Sequence, residues 1–342
     1  MAKKEKKTFD YAAQLRRLKA DGPERLYLLC GEETYLRQAF FEELRNACLG
    51  DADRAFNDKR LTGGEDLGEL SQAVDALPFF AERTFVEVWD FDPSRFRDAA
   101  WERLKAILSD IPDYCTVALL TPAGTSPDGR LTSVRALKKL GSYLEFTPQE
   151  GPALTGWIGK RFAALGKTIS RKDAEYLIFC AGGLMNRLVP EIEKLAAGTE
   201  GSEITRRDID AMVQRLPEAE VFDLTDMLSL GHFDDAARTL GQLLATREEP
   251  IKLLALVGAQ MRRVFAVKLA EAGRRSREET MELSGVRYDF ILQKLRQSAK
   301  RYTLSQLADI LDMCAEYDYK MKSTGLDSGA LLREFFAELA AV

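Results

Sequence analysis

The stretch Arg25-Leu26-Tyr27-Leu28-Leu29-Cys30, closed by Gly31, decides the fold. After its first residue it is continuously apolar, without the alternation of a strand that has one wet face, so it reads as a strand buried on both faces and stopped by the glycine. A strand of that kind needs helices above and below its sheet, and the flanking sequence supplies them in turn. A helix follows with Leu36, Phe40 and Leu44 on one face, and another runs from about Asp66 with Leu67, Leu70, Val74 and Leu77 on its buried side until Pro78 ends it. Then come a strand from Arg83 to Val88, a helix carrying Phe96, Leu104 and Leu108, and a strand from Cys115 to Leu120. A helix with Leu131, Val134 and Leu137 leads to a last strand from Ser142 to Phe146. This alternation predicts a doubly wound α/β domain with a mostly parallel sheet over residues 1–147.

At Thr147 to Pro152 the composition breaks, and no strand is expected beyond it. Short helices around Trp157, Ile158 and Phe162, around Leu177 and Ile178, and around Leu188, Ile192 and Leu195 predict a small helical domain over 148–216. After Pro217 longer helices run through 217–342: Phe222 to Leu230, Asp234 to Leu244, Ile251 to Ala270, Tyr288 to Lys300, Leu304 to Lys320 and Leu331 to Leu339. Three domains suit 342 residues, which exceed the roughly 150 of one typical domain. With 46% hydrophobic and 30% charged residues the chain falls in the globular class, and 49 basic against 54 acidic residues, a net charge of −5, exclude a free-standing basic nucleic-acid binder. The five cysteines form no CxxC pair, and Cys30, Cys115 and Cys180 lie in or beside apolar runs, so they read as buried thiols of a reducing compartment. No apolar run approaches the ~20 residues of a membrane span. The lysines of Met1 to Lys7 precede no hydrophobic segment and read as a solvated terminus rather than a secretory signal, which points to the cytoplasm and to no membrane partner.

An α/β domain followed by two helical ones is the layout of an AAA+ ATPase, and such an enzyme needs a phosphate loop, G-x-x-x-x-G-K-[ST], after its first strand. The residues there are Gly31-Glu32-Glu33-Thr34-Tyr35-Leu36: two carboxylates where polyphosphate would lie, no second glycine and no lysine. The tripeptide Gly166-Lys167-Thr168 lacks a glycine five positions earlier, where Arg161 stands, and Gly166 reads as a helix stop. Asp90 and Asp92 resemble a magnesium-binding pair at a strand end, but with no phosphate loop opposite they read as loop caps. The single histidine, His232, cannot build a multi-histidine site and reads as a helix-end residue after Gly231. No catalytic residue, cofactor or metal site is expected.

The informative feature is Ala76-Leu77-Pro78-Phe79-Phe80-Ala81-Glu82-Arg83, with adjacent aromatics after a proline between a helix and a strand. Neighbouring side chains of an extended loop point in different directions, so one core cannot easily bury both. Two readings stand open: an exposed anchor for a partner's apolar pocket, or a loop folded back on the sheet.

Tyr27-Leu28-Leu29-Cys30-Gly31-Glu32-Glu33 with Tyr35-Leu36, the Leu77 to Arg83 loop, Glu191 to Leu195, Gln260-Met261-Arg262-Arg263 with Lys268, and the closing stretches Asp318 to Lys322 and Gly325 to Phe335 together resemble the delta subunit family of bacterial DNA polymerase III. The resemblance runs in order along essentially the whole chain. It implies an AAA+-like first domain without a working nucleotide site, a small helical lid domain, and a helical collar that joins other clamp-loader subunits in a hetero-pentamer. It further implies that the first domain grips the sliding clamp, the beta subunit, through the positions held here by Leu77, Phe79 and Phe80. That grip favours an opened ring, and primed DNA is met through the assembled complex. The family often carries Leu-Phe where this chain has Phe79-Phe80. Two other classes are separable by simple observations: a degenerate kinase or NTPase would bind ATP saturably as an isolated chain, and another nucleotide-free loader subunit or adaptor would assemble through its collar without affinity for the clamp.

Overall fold

A computed structural model describes residues 9–51, 54–245 and 248–342. The lysine cluster of Met1 to Lys7 lies outside the described residues. The chain forms two compact units, Met1–Ile158 with Gly183–Glu193, and Gly159–Gly182 with Lys194–Val342.

In the first unit α1 (Tyr11–Asp21) precedes β1 (Leu26–Cys30), followed by α2 (Thr34–Cys48), a one-turn α3 (Arg54–Asn57), β2 (Asp58–Thr62), α4 (Leu67–Asp75), β3 (Thr84–Trp89), α5 (Asp98–Ser109), β4 (Cys115–Leu120), α6 (Thr132–Leu140) and β5 (Ser142–Glu145). The five strands make one parallel sheet in the order β2-β3-β4-β1-β5, with Leu28 facing Leu119 on one side and Tyr143 on the other. Every residue of β1 and β4 is buried, as continuous apolar strands between two helical layers must be. The expected doubly wound sheet is present. Beneath it pack Leu70, Val74, Val86, Val88, Leu104, Val117 and Leu119, while α2 buries Leu36, Phe40, Phe41 and Leu44.

The sequence reading missed β2, Asp58-Lys59-Arg60-Leu61-Thr62. It pairs only with β3 and buries only Leu61, so an edge strand carries charges that a central strand excludes. Two further readings need correction. Helix α4 stops at Asp75, so Leu77 is exposed and not on its buried side; the hydroxyl of Tyr114 donates to the Asp75 carbonyl at this helix end. Phe96 is buried but precedes α5, stacking on Phe91 in the loop before it.

The unit boundaries fall inside α7 (Gly151–Ala164) and α9 (Met185–Gly198). The second unit contains β6 (Thr168–Ile169), α8 (Arg171–Ala181), β7 (Glu203–Ile204) and α10 (Arg206–Met212), then α11 (Pro217–Leu230), α12 (Phe233–Ala245), α13 (Pro250–Ala272), α14 (Arg277–Ser284), α15 (Asp289–Arg301), α16 (Leu304–Ser323) and α17 (Ser328–Ala341). The two-residue strands β6 and β7 pair in parallel where no strand was expected, too short to carry any sequence periodicity. Gly166 ends α7 at φ +73°, and the Lys167 amide donates to the Phe162 carbonyl at 2.9 Å; the Lys167 ammonium caps the carbonyls of Thr199 (2.5 Å) and Gly201 (2.7 Å). The Gly166-Lys167-Thr168 tripeptide is thus a helix stop.

Helix α13 is the axis of the helical core. Its Leu253, Leu254, Val257, Met261, Val264 and Val267 are buried against α11, α14, α15, α16 and α17, with Leu256 only partly covered. Helix α14 escaped the sequence reading because its face is mostly charged, but Ser276 and Glu279 cap it reciprocally. His232 follows the Gly231 cap of α11, its amide donating to the Met227 carbonyl at 2.9 Å. All five cysteines are free and buried, and burial pushes the thiols of Cys30, Cys48 and Cys314 up to about 11. No helix among the described residues is long and apolar enough to cross a membrane.

One arginine, Arg45, serves two nearly buried carboxylates at the β2 edge, Asp58 at 3.6 Å and Glu87 at 3.9 Å. Burial first, and the Glu87 charge second, push the Asp58 carboxyl up to about 6 against the pull of Arg45. A folded-state value above the unfolded one means that the native chain holds an extra proton between pH ~4 and ~6, so this group stabilises the fold at low pH and the contribution is lost as pH rises through 6. Asp58→Asn should therefore be more stable than the parent at pH 7, by about 1 kcal/mol after allowance for solvent screening, and should lose that advantage at pH 4. Urea unfolding of both chains across this range checks the sign, and an advantage that grows on acidification would contradict it.

Candidate functional site

The turn after β1 is where an AAA+ ATPase would hold phosphate, and here the chain fills it with its own groups. Gly31 has φ +120°, and a Cβ on it would stand 2.3 Å from the Phe146 carbonyl oxygen, so the residue after β5 lies directly against the turn and only glycine fits. The amides that would face a phosphate already have partners: Gly31 N–H donates to Thr125 O (2.8 Å), Glu33 N–H to Phe146 O (3.0 Å) and Thr34 N–H to Glu32 O (3.0 Å). The Glu33 side chain is fully buried, and its two oxygens accept from the amide of Tyr35 (3.3 Å) at the start of α2 and from that of Met185 (3.1 Å) at the start of α9. A carboxylate thus sits at two helix N-termini, the electrostatic place of a bound anion. Its desolvation raises the Glu33 carboxyl above the usual range, and the amides of Met185 and Tyr35 oppose the rise. Beside it, a cavity of about 190 Å³ is lined by Glu32, Glu145 and Glu150 as well as Gly31 and Phe146, a wall of acids that repels polyphosphate. Asp92 caps its own loop, accepting from Ser94 N–H (2.9 Å) and Ser94 O–H (2.7 Å), while Asp90 is exposed at φ +55° after β3.

The loop between α4 and β3 presents the other candidate. Leu77 is 77% exposed, Phe79 53% and Phe80 91%, so the aromatics are not folded back on the sheet. Both ends of the loop are tied to Tyr114, whose hydroxyl holds Asp75 O and whose carbonyl receives the Thr84 amide at 2.8 Å. Phe80 adopts φ +50°, a left-handed conformation that a phenylalanine rarely takes, and such residues persist where their surroundings over-determine them. Next to it the amide of Asn57, 1% exposed, brackets Phe79: its Oδ1 accepts from Phe79 N–H (2.6 Å) and its Nδ2 donates to Phe79 O (3.0 Å). The Phe56 ring, 61% exposed, lies 5.1 Å from that of Phe79, and Phe79 lies 4.6 Å edge-on to Phe80.

Comparison with known proteins decides the family. The model for "DNA polymerase III, delta subunit" matches residues 27–147, and that for "DNA polymerase III delta subunit, C-terminal domain" matches residues 218–339. The chain belongs to the DNA polymerase III delta subunit family. It is 27% identical to the DNA polymerase III subunit delta of Bacillus subtilis over 324 residues, 92% of either chain. It is 19% identical to a probable DNA polymerase III subunit delta of Aquifex aeolicus over 322 residues, 91% of this chain and 90% of that one. The solved DNA clamp loader delta protein of Bacillus subtilis shares its fold, with a TM-score of 0.53 at 24% identity over 97% of this chain and 100% of that chain. The fold is therefore AAA+-like, with a parallel five-stranded sheet followed by helices.

Within this delta-family chain, several residues that carried the resemblance prove structural. Gln260 and Met261 are buried in α13, and the Lys268 ammonium donates to the Ala299 carbonyl at 2.9 Å. Sequence reasoning missed Phe56 and Asn57. An aromatic ahead of the charged run Asp58-Lys59-Arg60 was the available signal for Phe56, unused because that run does not read as a strand; Asn57 had none.

Because the turn amides already donate to main-chain carbonyls and the Glu33 carboxylate occupies the two helix starts, titration of the purified chain with Mg-ATP should give no saturable binding at millimolar nucleotide. Gly31→Ala, forced against the Phe146 carbonyl in a backbone region alanine avoids, should lower stability by ~2 kcal/mol or more. A fluorescent ATP analogue that binds at micromolar concentration would overturn the first expectation, and an unchanged thermal midpoint the second.

Proposed function

We propose that the chain is the clamp-loader subunit that grips the sliding clamp, with Leu77, Phe79 and Phe80 entering an apolar pocket of the clamp. One observation carries this reading: a pinned loop displays three large apolar side chains to solvent on a chain of the delta family. Solvent-facing apolar groups in a fixed loop lose area to water unless a partner covers them, and buried aromatic anchors dominate interface energies. The subunit would open the ring by population shift: binding the open-interface state better than the closed one stabilises opening by the difference in binding free energy.

In this reading residues 1–147 form the clamp-binding domain, 148–216 the lid and 217–342 the collar that joins the other loader subunits in a hetero-pentamer. Primed DNA is contacted through the assembled complex in the cytoplasm. The chain contributes no catalytic residue, cofactor or metal. ATP is bound and hydrolysed on neighbouring subunits, and nucleotidyl transfer belongs to the polymerase holoenzyme.

Phe80→Ala should weaken clamp binding by at least ~30-fold, about 2 kcal/mol, with smaller losses for Leu77→Ala and Phe79→Ala and near-native thermal midpoints, since all three side chains are exposed. Surface plasmon resonance against the clamp and a melting curve test both halves; a Phe80→Ala chain that binds normally removes the reading.

A fragment of residues 1–216, which keeps the Glu33 contact to Met185, should bind the clamp yet fail to co-elute with the other loader subunits. A full chain that joins the loader but has no affinity for the clamp would instead be a nucleotide-free loader subunit of another kind.

A further inference from the structure

Four large apolar side chains are exposed in the first unit, Phe56, Leu77, Phe79 and Phe80; every other exposed large hydrophobic among the described residues belongs to the second. Three of the four form a continuous aromatic row, Phe56 to Phe79 at 5.1 Å and Phe79 to Phe80 at 4.6 Å between ring centres. Phe56 comes from α3, a segment 23 residues before Phe79 in the chain and on the other side of β2 and α4.

The residue after Phe56 does something different. Asn57 is buried, and its amide bonds both main-chain polar groups of Phe79. The Phe79 carbonyl belongs to the peptide unit that leads into Phe80, so a donor fixed on that carbonyl sets the plane from which Phe80 turns to φ +50°. Without the brace, the nearest relaxation for a phenylalanine is to negative φ, which swings a ring that is 91% exposed away from its neighbours. An anchor held in its bound geometry loses less conformational freedom on docking.

We propose that the clamp contact is bipartite: Phe56 is a fourth contact residue that extends the row formed by Phe79 and Phe80, and Asn57 is a positioning residue that holds Phe80 in its left-handed display geometry. This rests on the clamp-binding reading above. The partner surface it fits is an apolar pocket with a neighbouring apolar shelf: the pocket takes Phe80 and the shelf lies against Phe56.

The test is a set of full-length variants measured against the sliding clamp by surface plasmon resonance, with urea unfolding as the control for folding. Phe56→Ala should lose roughly 5-fold to 10-fold in affinity and Asn57→Ala at least ~10-fold. A residue that acts through Phe80 has nothing to position once that ring is gone, so Asn57→Ala added to Phe80→Ala should cost less than twofold more. Amide hydrogen exchange in residues 77–82 should quicken in Asn57→Ala and not in Phe56→Ala. Should Asn57→Ala fail to fold, Asn57→Asp keeps the acceptor for the Phe79 amide, removes the donor to its carbonyl, and should show the same coupling to Phe80. Normal binding by Phe80→Ala would sink the clamp reading and this inference together. If Phe80→Ala binds weakly while Phe56→Ala and the Asn57 variants bind within twofold of the parent, or the two losses simply add, only the bipartite contact is wrong.

Discussion

Main-chain hydrogen bonding on both sides of β1 is the constraint on which the first unit depends. A strand paired to β4 and β5, and covered above and below by helices, has no polar surface left, so its sequence must be apolar and its position away from the sheet edge. The strand order then places β2 at an edge next to β3, and the segments that enter β2 and β3 come out side by side. That is why α3, which leads into β2, can brace the loop that leads into β3. The aromatic row is assembled from two chain segments because parallel neighbours begin at the same end of a sheet.

The legible part of the fold followed burial. Strands β1, β3, β4 and β5 were readable because apolar runs of that length between helical periodicities have few other solutions, and α2 because Leu36, Phe40 and Leu44 line one face. What escaped was held by something other than apolar pattern. Strand β2 is specified by its pairing to β3 alone, α14 by the Ser276 and Glu279 caps, and the β6–β7 pair by two residues on each side.

The candidate site divides in the same way. Leu77, Phe79 and Phe80 stood out in sequence because adjacent aromatics after a proline resist burial, but whether they faced water depended on α4 ending at Asp75, two residues before Leu77, which periodicity overran. Asn57 could not have been read. A buried amide declares itself only through its partner, and its partner is the backbone of a residue 22 positions away, which carries no side-chain signature. The Glu32-Glu33 pair was legible as a reason against nucleotide, yet its second role was not, because the amide of Met185 lies 152 residues downstream.

The Glu33 carboxylate has a consequence for how such a subunit responds to its surroundings. In a nucleotide-binding protein an anion at two helix ends arrives and leaves, and the elements it joins loosen whenever it is gone. Here the anion is part of the chain itself, so the start of α9 is joined to the start of α2 without any ligand. The contact therefore needs neither ATP nor ADP to hold the two helix starts together. Restoring a lysine to the turn would not by itself return the site to use, because an incoming phosphate would first have to evict a ligand that cannot diffuse away.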